Sequence, residues 1–162
     1  RLLRSLESSK GLKTNFLLRS HYKAGATTTA DKNKVEKEFY ENIYSNLFTL
    51  CLRGMGNYSV RFYQTLAMGR IPVLIDTDSN LPFSDQIDYK NIVVKVPFFD
   101  RFNTEDYLID FLKNKTNSDL VKIQEACRKV WVDHFNSKAI LENLSIEMKS
   151  LLDRFNGTDS KG

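Results

Sequence analysis

The sequence contains few of the residues that mark a metal site, a disulfide framework or a membrane span. It has two cysteines and two histidines among 162 residues. Cys51 and Cys127 lie far apart and form no CxxC or Cys/His spacing. Cys51 falls within a predicted buried strand, so we predict that it is a reduced core thiol. No uninterrupted apolar segment reaches transmembrane length, and the basic N-terminal residues lack the apolar core of a signal peptide. The sequence therefore favours a globular domain without these features.

Excess charge is also scarce. The 24 Lys and Arg residues exceed the 20 Asp and Glu residues by only four, and the pI is about 9.0. This balance suits an anionic ligand, but it is too small and too dispersed to indicate nucleic acid as a partner. The length predicts one domain over residues 1–156 and a flexible tail over 157–162. Because the chain begins at Arg1 in helix-like sequence, we expect a fragment of a longer protein.

Apolar runs of strand length alternate with amphipathic segments along the whole chain. We predict strands at residues 14–19, 47–52, 71–75 and 91–96, and helices at residues 1–9, 31–45, 58–68, 104–111, 117–135 and 137–155. The strands are continuously apolar, which is typical of parallel strands that are buried on both faces. The expected fold class is α/β, a Rossmann-like parallel sheet with helices on both faces.

The most informative segment is residues 50–83, which reads as strand, glycine-bearing loop, helix, strand and loop. A right-handed crossover places that loop and the start of its helix at the carboxyl edge of the sheet. Free backbone N–H groups and the positive end of the helix dipole favour anions there. The pattern therefore predicts a binding site for a phosphorylated ligand.

Polar side chains occur at the predicted turns of this segment. Arg61 lies three residues before Gln64, so the two share one face of the predicted helix. Ser59 begins the helix, where its hydroxyl either caps the helix or binds an anion, and the forked guanidinium of Arg61 could reach the same phosphate. An Asn or Ser cap followed by a solvated arginine is also a common structural arrangement, so each residue alone leaves both interpretations open.

Two arginines outside this helix are further candidates. Arg19 ends the first predicted strand and Arg53 follows the second, so in a parallel sheet both would lie at the same edge. The alternative for Arg19 is a solvent-exposed strand end. For His21 we favour an ordinary surface residue over a catalytic base, and for His134 we favour a packing role near a helix end.

Taken together, these residues resemble the exostosin-like family of glycosyltransferases. The resemblance is carried by RGMGNYSVRFYQTLAMGRIPV at residues 53–73, by Asp76 and Asp78, by LPF at residues 81–83 and by Ile87 and Asp88. Bacterial enzymes of surface-polysaccharide assembly look most similar. The resemblance implies a two-lobed GT-B enzyme in which this chain is the C-terminal, nucleotide-sugar-binding lobe and the N-terminal acceptor lobe is absent.

The resemblance also implies partners and chemistry. The donor would be a uridine diphosphate (UDP) sugar and the acceptor a polysaccharide or glycolipid, with no metal and no further cofactor. The catalytic base of an inverting mechanism would lie on the absent lobe, so no catalytic residue is assigned here. The fragment alone is expected to be inactive.

Carried over residue by residue, the resemblance assigns a donor site. Ser59 and Arg61 would contact the diphosphate, together with backbone N–H groups of Gly56 and Asn57. Arg53 and Arg19, which the predicted sheet places at the same edge, could approach it as well. Position 64 would face the ribose hydroxyls. The family typically has Glu there, whereas this chain has Gln64, and an amide has one acceptor oxygen where a carboxylate has two. We therefore expect weaker donor binding than in a Glu version.

Asp76 and Asp78 form an Asp-x-Asp pair after a strand, which is also how metal-dependent GT-A glycosyltransferases hold a divalent ion. We predict instead that the pair forms the rim of the sugar site, without metal. Asn57 begins a glycosylation sequon, and a glycan there would block the site. This favours a cytoplasmic protein, or one peripheral to the inner face of the membrane.

Two other classes of function are compatible with the same pattern. One is a non-catalytic nucleotide- or phosphate-binding regulatory module, for which Gln64 is the best argument. The other is a protein-interaction domain on a flavodoxin-like scaffold, in which the glycines serve only the turn.

Overall fold

The sequence folds into alternating helices and strands, seen in a computed structural model that describes residues 1–21 and 25–158. The elements in chain order are α1 (Leu2–Glu7), α2 (Thr29–Tyr44), β1 (Phe48–Cys51), α3 (Val60–Ala67), β2 (Ile71–Asp76), β3 (Val94–Pro97), α4 (Thr104–Leu112), α5 (Asn117–Val130) and α6 (Ser137–Thr158). Short 3₁₀ turns at Tyr89–Asn91 and Phe98–Asn103 flank β3, and a π turn at Trp131–Phe135 follows α5.

The three strands form one parallel sheet in the order β1-β2-β3. In the register of the sheet, Cys51 at the end of β1 pairs with Leu74 of β2, and Asp76 at the end of β2 pairs with Pro97 of β3. The central strand is buried along five of its six residues, from Ile71 to Ile75. Apolar burial on both faces of β2 is what its continuous apolar sequence predicts.

Helices cover both faces of the sheet. On one face, the Cys51 sulfur lies 3.8 Å from the Thr65 hydroxyl of α3. On the other face, the ring of Phe48 packs edge-on against Phe111 of α4, with centroids 6.1 Å apart. Cys51 is a buried free thiol, as predicted, and burial raises its pKa to about 12, so it stays protonated. The α/β fold class is confirmed.

The prediction of a strand at residues 14–19 is wrong. The segment has no regular secondary structure, and Leu17 and Leu18 are 50% and 65% exposed. The carbonyl of Asn15 accepts a hydrogen bond of 3.0 Å from the Asn42 side chain of α2, and not one from β1. A short apolar run allows a strand but does not specify a neighbour that pairs with its backbone.

Some predicted boundaries also shift. β3 begins at Val94, later than predicted, because the carbonyl of Tyr89 accepts hydrogen bonds from both Ile92 and Val93, and this turn occupies the predicted start. The long fifth helix ends at Val130 and passes into the π turn. Helix α6 extends to Thr158, and residues 159–162 of the predicted tail lie outside the described residues.

Candidate functional site

Two loops meet at the carboxyl edge of the sheet, and the side chain of Asn57 joins them. The glycine loop (residues 52–59) follows β1, and the rim loop (residues 77–82) follows β2. The Asn57 amide donates to the carbonyls of Thr77 at 3.0 Å and Asp78 at 3.3 Å, and it accepts from the Thr77 hydroxyl. The side chain of Asn57 therefore holds the two loops together, which the sequence did not reveal.

The glycine loop is closed by its own backbone. The N–H of Gly54 donates to the carbonyl of Tyr58 at 2.9 Å. A Cβ placed on Gly56 would lie 2.8 Å from the ring of Tyr58, so a larger residue there would displace that ring. Arg53 is exposed at the start of this loop, next to the end of β1. The loop therefore presents its backbone and one arginine at the sheet edge.

Helix α3 begins at this edge, and the side chain of its N-cap residue makes no hydrogen bond to the helix. Ser59 is buried and has extended backbone angles, but its hydroxyl makes no cap hydrogen bond. Its carbonyl accepts from the Phe62 N–H at 3.1 Å. Of the two roles that the sequence left open for Ser59, side-chain capping is not observed. The first N–H groups of the helix therefore receive no cap bond from Ser59 and can serve another acceptor.

Arg61 and Arg19 both contact α2, but in different ways. The Arg61 guanidinium lies over the Phe39 ring, 5.2 Å from its centroid. Among the described side chains, no carboxylate lies within 4 Å of it. Arg19 instead forms an ion pair with Glu38 at 2.9 Å, and it does not end a strand as predicted. Both contacts join residues that are far apart in sequence, so no local sequence pattern indicates them.

An open cleft lies beside the start of α3. The space between its walls is about 240 Å³, and part of that space is open to solvent, so the cleft is shallow. Gln64 is half-buried, one turn after Arg61. The cleft can hold only part of a nucleotide sugar. Its lining residues come from the glycine loop, α3, β2 and the rim loop: Tyr58, Ser59, Phe62, Tyr63, Leu74, Ser79, Asn80 and Leu81.

The carboxylate of Asp76 is already bound by neighbouring residues of the same chain. Its carboxylate pairs with Lys95 at 3.0 Å and accepts from the backbone N–H of Ser79 at 3.1 Å. Partial burial acts to raise its pKa, but the Lys95 and Ser79 bonds outweigh that effect and hold the pKa below its usual value. Asp78 is exposed, with a left-handed backbone at φ 58°. Within residues 1–21 and 25–158 no group of three or more His, Cys, Asp or Glu could hold a metal ion.

The two histidines lie in different surroundings. The His134 ring packs against Phe83 at a centroid distance of 5.3 Å, and its buried Nδ1 has no hydrogen-bond partner among the described residues. This agrees with the predicted packing role. His21 is exposed, with Nδ1 3.0 Å from the Ser20 hydroxyl. Neither contact involves a residue of the cleft.

The comparisons with known proteins identify the family. The model of the Exostosin GT47 domain matches residues 10–111, more than half of the chain and the part that contains both loops and α3. The chain therefore belongs to the Exostosin GT47 family, which confirms the exostosin-like resemblance of its sequence. The bacterial subtype and the assignment to a C-terminal lobe stay predictions.

Relatives in plants and a nematode match parts of the chain. The probable glucuronosyltransferase GUT1 of Oryza sativa subsp. japonica is 40% identical over 58 residues, which cover 36% of this chain and 14% of that protein. The Exostosin-1 homolog of Caenorhabditis elegans is 25% identical over 114 residues, 70% of this chain and 29% of that protein. The probable beta-1,4-xylosyltransferase IRX10L of Arabidopsis thaliana is 35% identical over 71 residues, 41% of this chain and 17% of that protein.

The chain thus spans less than a third of the length of these relatives. In the part of the chain that the structure describes, no helix is both long enough and apolar enough to cross a membrane.

Proposed function

We propose that this chain is the nucleotide-sugar-binding lobe of a glycosyltransferase, with UDP as the nucleotide of the donor. The observation that carries the proposal is the position of Arg61. Its guanidinium has no carboxylate partner among the described side chains, and it stands on the first turn of a helix whose N-cap side chain makes no cap bond. Both features favour a diphosphate at this edge of the sheet.

The proposed role of this lobe in transfer is electrostatic. When an acceptor hydroxyl attacks the anomeric carbon, the bond from that carbon to the diphosphate oxygen breaks and negative charge grows on the leaving group. Arg61, Arg53 and the start of α3 stabilise that charge, supported by the backbone of Gly56 and Asn57. Arg19 joins them once it leaves Glu38. The proton of the acceptor is taken by a base on another lobe, in a two-lobed GT-B arrangement.

The other parts of the proposal concern the sugar and the setting. The relatives are named as probable glucuronosyl- and xylosyltransferases, which makes a pentose or a uronic acid a candidate for the transferred sugar. The acceptor is a polysaccharide or glycolipid, and Asp76 and Asp78 border the sugar without a metal ion. We place the protein in the cytoplasm or at the inner face of the membrane, in bacterial surface-polysaccharide assembly.

A second candidate function rests on Gln64. An amide at the proposed ribose position gives fewer hydrogen bonds to two hydroxyls than a carboxylate does. This favours a regulatory lobe that binds nucleotide but takes part in no transfer. Nucleotide binding by the full-length protein without any transfer activity would distinguish this candidate from the first.

The proposed function is tested by calorimetric titration of UDP into the chain. We expect saturable binding, and we expect the dissociation constant to be the same with and without EDTA because the site uses no metal. Uridine should bind more weakly than UDP because it lacks the diphosphate. Failure of UDP to bind would contradict the donor lobe, and loss of binding in EDTA would contradict the metal-free site.

Replacing Gln64 with glutamate is predicted to tighten UDP binding. Charge-assisted hydrogen bonds contribute about 1.5–3 kcal/mol and neutral ones about 1 kcal/mol, so the gain should be about 2- to 30-fold in affinity. Gln124→Glu, a half-buried glutamine on α5, is the matched control and should leave the affinity unchanged. Equal affinity of Gln64→Glu and the wild type would refute the assignment of position 64 to the ribose.

A further inference from the structure

Helix α2 contacts both Arg19 and Arg61, the two candidate diphosphate ligands outside the glycine loop. Glu38 pairs with Arg19 at 2.9 Å, and the next residue, Phe39, lies under the guanidinium of Arg61 at 5.2 Å. One turn of α2 therefore holds two cations that are distant in sequence. Helix α2 has no other established role in the site.

The two contacts differ in net charge, because one partner is a carboxylate and the other is an uncharged ring. A carboxylate neutralises the cation that it holds, so the field of Arg19 is largely cancelled by Glu38. An aromatic face attracts a guanidinium through its quadrupole and carries no net charge, so Arg61 keeps its full positive charge. Phe39 thus orients the guanidinium of Arg61 without neutralising the positive charge that attracts a phosphate.

Fixing the direction of an arginine matters because its side chain is long and flexible. A free arginine loses rotamer freedom when it binds a ligand, and this loss opposes binding. An arginine that already rests on a ring loses less. Arg61 stands on α3, and the Phe39 ring of α2 contacts its guanidinium, so the ring orients the exposed end of the side chain.

We propose that Phe39 is a positioning residue for the donor diphosphate, acting through the guanidinium of Arg61. The inference rests on the proposed function, because it assigns Arg61 to the diphosphate. It adds a residue of α2 to the site, and it makes the contact between Phe39 and Arg61 a determinant of donor affinity.

The test compares Phe39→Leu with the wild type. Leucine retains an apolar side chain of similar size but has no ring. The aromatic contact of an exposed arginine is small, so we expect UDP affinity to fall about 2- to 5-fold. Phe39→Trp supplies a better aromatic face and should bind UDP at least as tightly as the wild type.

A second aromatic residue on the same helix supplies the matched control. Tyr44 lies under the guanidinium of Arg70 at 4.4 Å, at the other end of the sheet, where β2 begins. Tyr44→Leu removes an equivalent contact between α2 and the rest of the protein without touching Arg61. Its UDP affinity should equal that of the wild type. An equal loss in Tyr44→Leu would show that general docking of α2 is measured, and would overturn the proposal.

A measurement without ligand separates this inference from the proposed function. A guanidinium above a ring has its Nε–H proton shifted upfield by the ring current, and NMR of arginine Nε–H groups should show this shift for Arg61 in the wild type and its loss in Phe39→Leu. Absence of the shift, or unchanged UDP affinity of Phe39→Leu beside a wild type that binds, overturns the inference alone. A wild type that shows the shift but does not bind UDP overturns the proposed function, and the diphosphate role of Phe39 with it.

Discussion

Phe62→Ala should lower the free energy of unfolding by about 3–5 kcal/mol, the usual cost of removing a buried phenylalanine ring. Phe62 is 1% exposed on α3, and its ring packs edge-on against Tyr63 at 5.3 Å and tilted against Tyr89 at 6.0 Å. Because protein interiors are closely packed, the neighbours of the ring would fill the resulting cavity only in part. Because domains of this size are stable by only about 5–15 kcal/mol, this variant should lose a large part of its stability.

Urea unfolding followed by circular dichroism measures this loss. Phe99→Ala is the matched control, because it removes the same ring from a position that is 84% exposed, and it should change stability by no more than about 0.5 kcal/mol. If Phe62→Ala is too unstable to study, Phe62→Leu should give a smaller loss of the same sign. A cost for Phe62→Ala no greater than that of Phe99→Ala would contradict the position of α3 in the core.

The central βαβ unit could be predicted because its signals are local and agree with one another. Continuous apolar runs define β1 and β2, and Gly69 ends α3 with a left-handed backbone at φ 59°, which a glycine adopts without strain. The prediction of a strand at residues 14–19 failed because the pairing of strands is not local. The run at residues 14–18 is as apolar as a strand, but nothing in it specifies whether its backbone bonds to β1 or to α2.

The candidate site, like the fold, could be predicted only where its signals are local in sequence. The sequence places Ser59, Arg61 and Gln64 on one helix, and in the structure Arg61 and Gln64 lie on α3 while Ser59 is its N-cap. It cannot show that the Asn57 side chain bridges two loops, because Thr77 lies 20 residues away and only the fold brings them together. For the same reason it cannot show that Phe39 lies under the guanidinium of Arg61. Contacts between elements that are far apart in sequence are set by packing, which no local pattern records.

Arg61→Ala is expected to reduce UDP affinity about 10- to 150-fold, the largest functional effect among the predictions. Hydrogen bonds between charged groups contribute about 1.5–3 kcal/mol, and each 1.4 kcal/mol is a factor of ten in the dissociation constant. The guanidinium is exposed, so added salt screens it. The difference between wild type and variant should therefore shrink as the ionic strength rises.

The control for this variant is an arginine at the same edge of the sheet. Arg101 follows β3, where its guanidinium stacks on Phe98 at 4.1 Å and on Phe102 at 4.6 Å. Arg101→Ala removes the same charge from the same edge of the sheet. It does so beside β3, which lies two strands and roughly 10 Å from β1 and the glycine loop. If UDP were attracted by a positive field spread over the whole edge, Arg61→Ala and Arg101→Ala would lose the same amount of UDP affinity. A specific diphosphate site requires that Arg101→Ala bind UDP nearly as well as the wild type.

The comparison of UDP with uridine completes the argument for Arg61. If this side chain binds phosphate, Arg61→Ala should weaken UDP binding and leave the weaker binding of uridine unchanged, because uridine has no phosphate for the guanidinium to contact. Calorimetry on both ligands measures this directly, with the melting temperature of the variant as a check on folding. An equal loss for both ligands would place Arg61 against the base or the ribose, and the diphosphate would then have to lie elsewhere along the glycine loop.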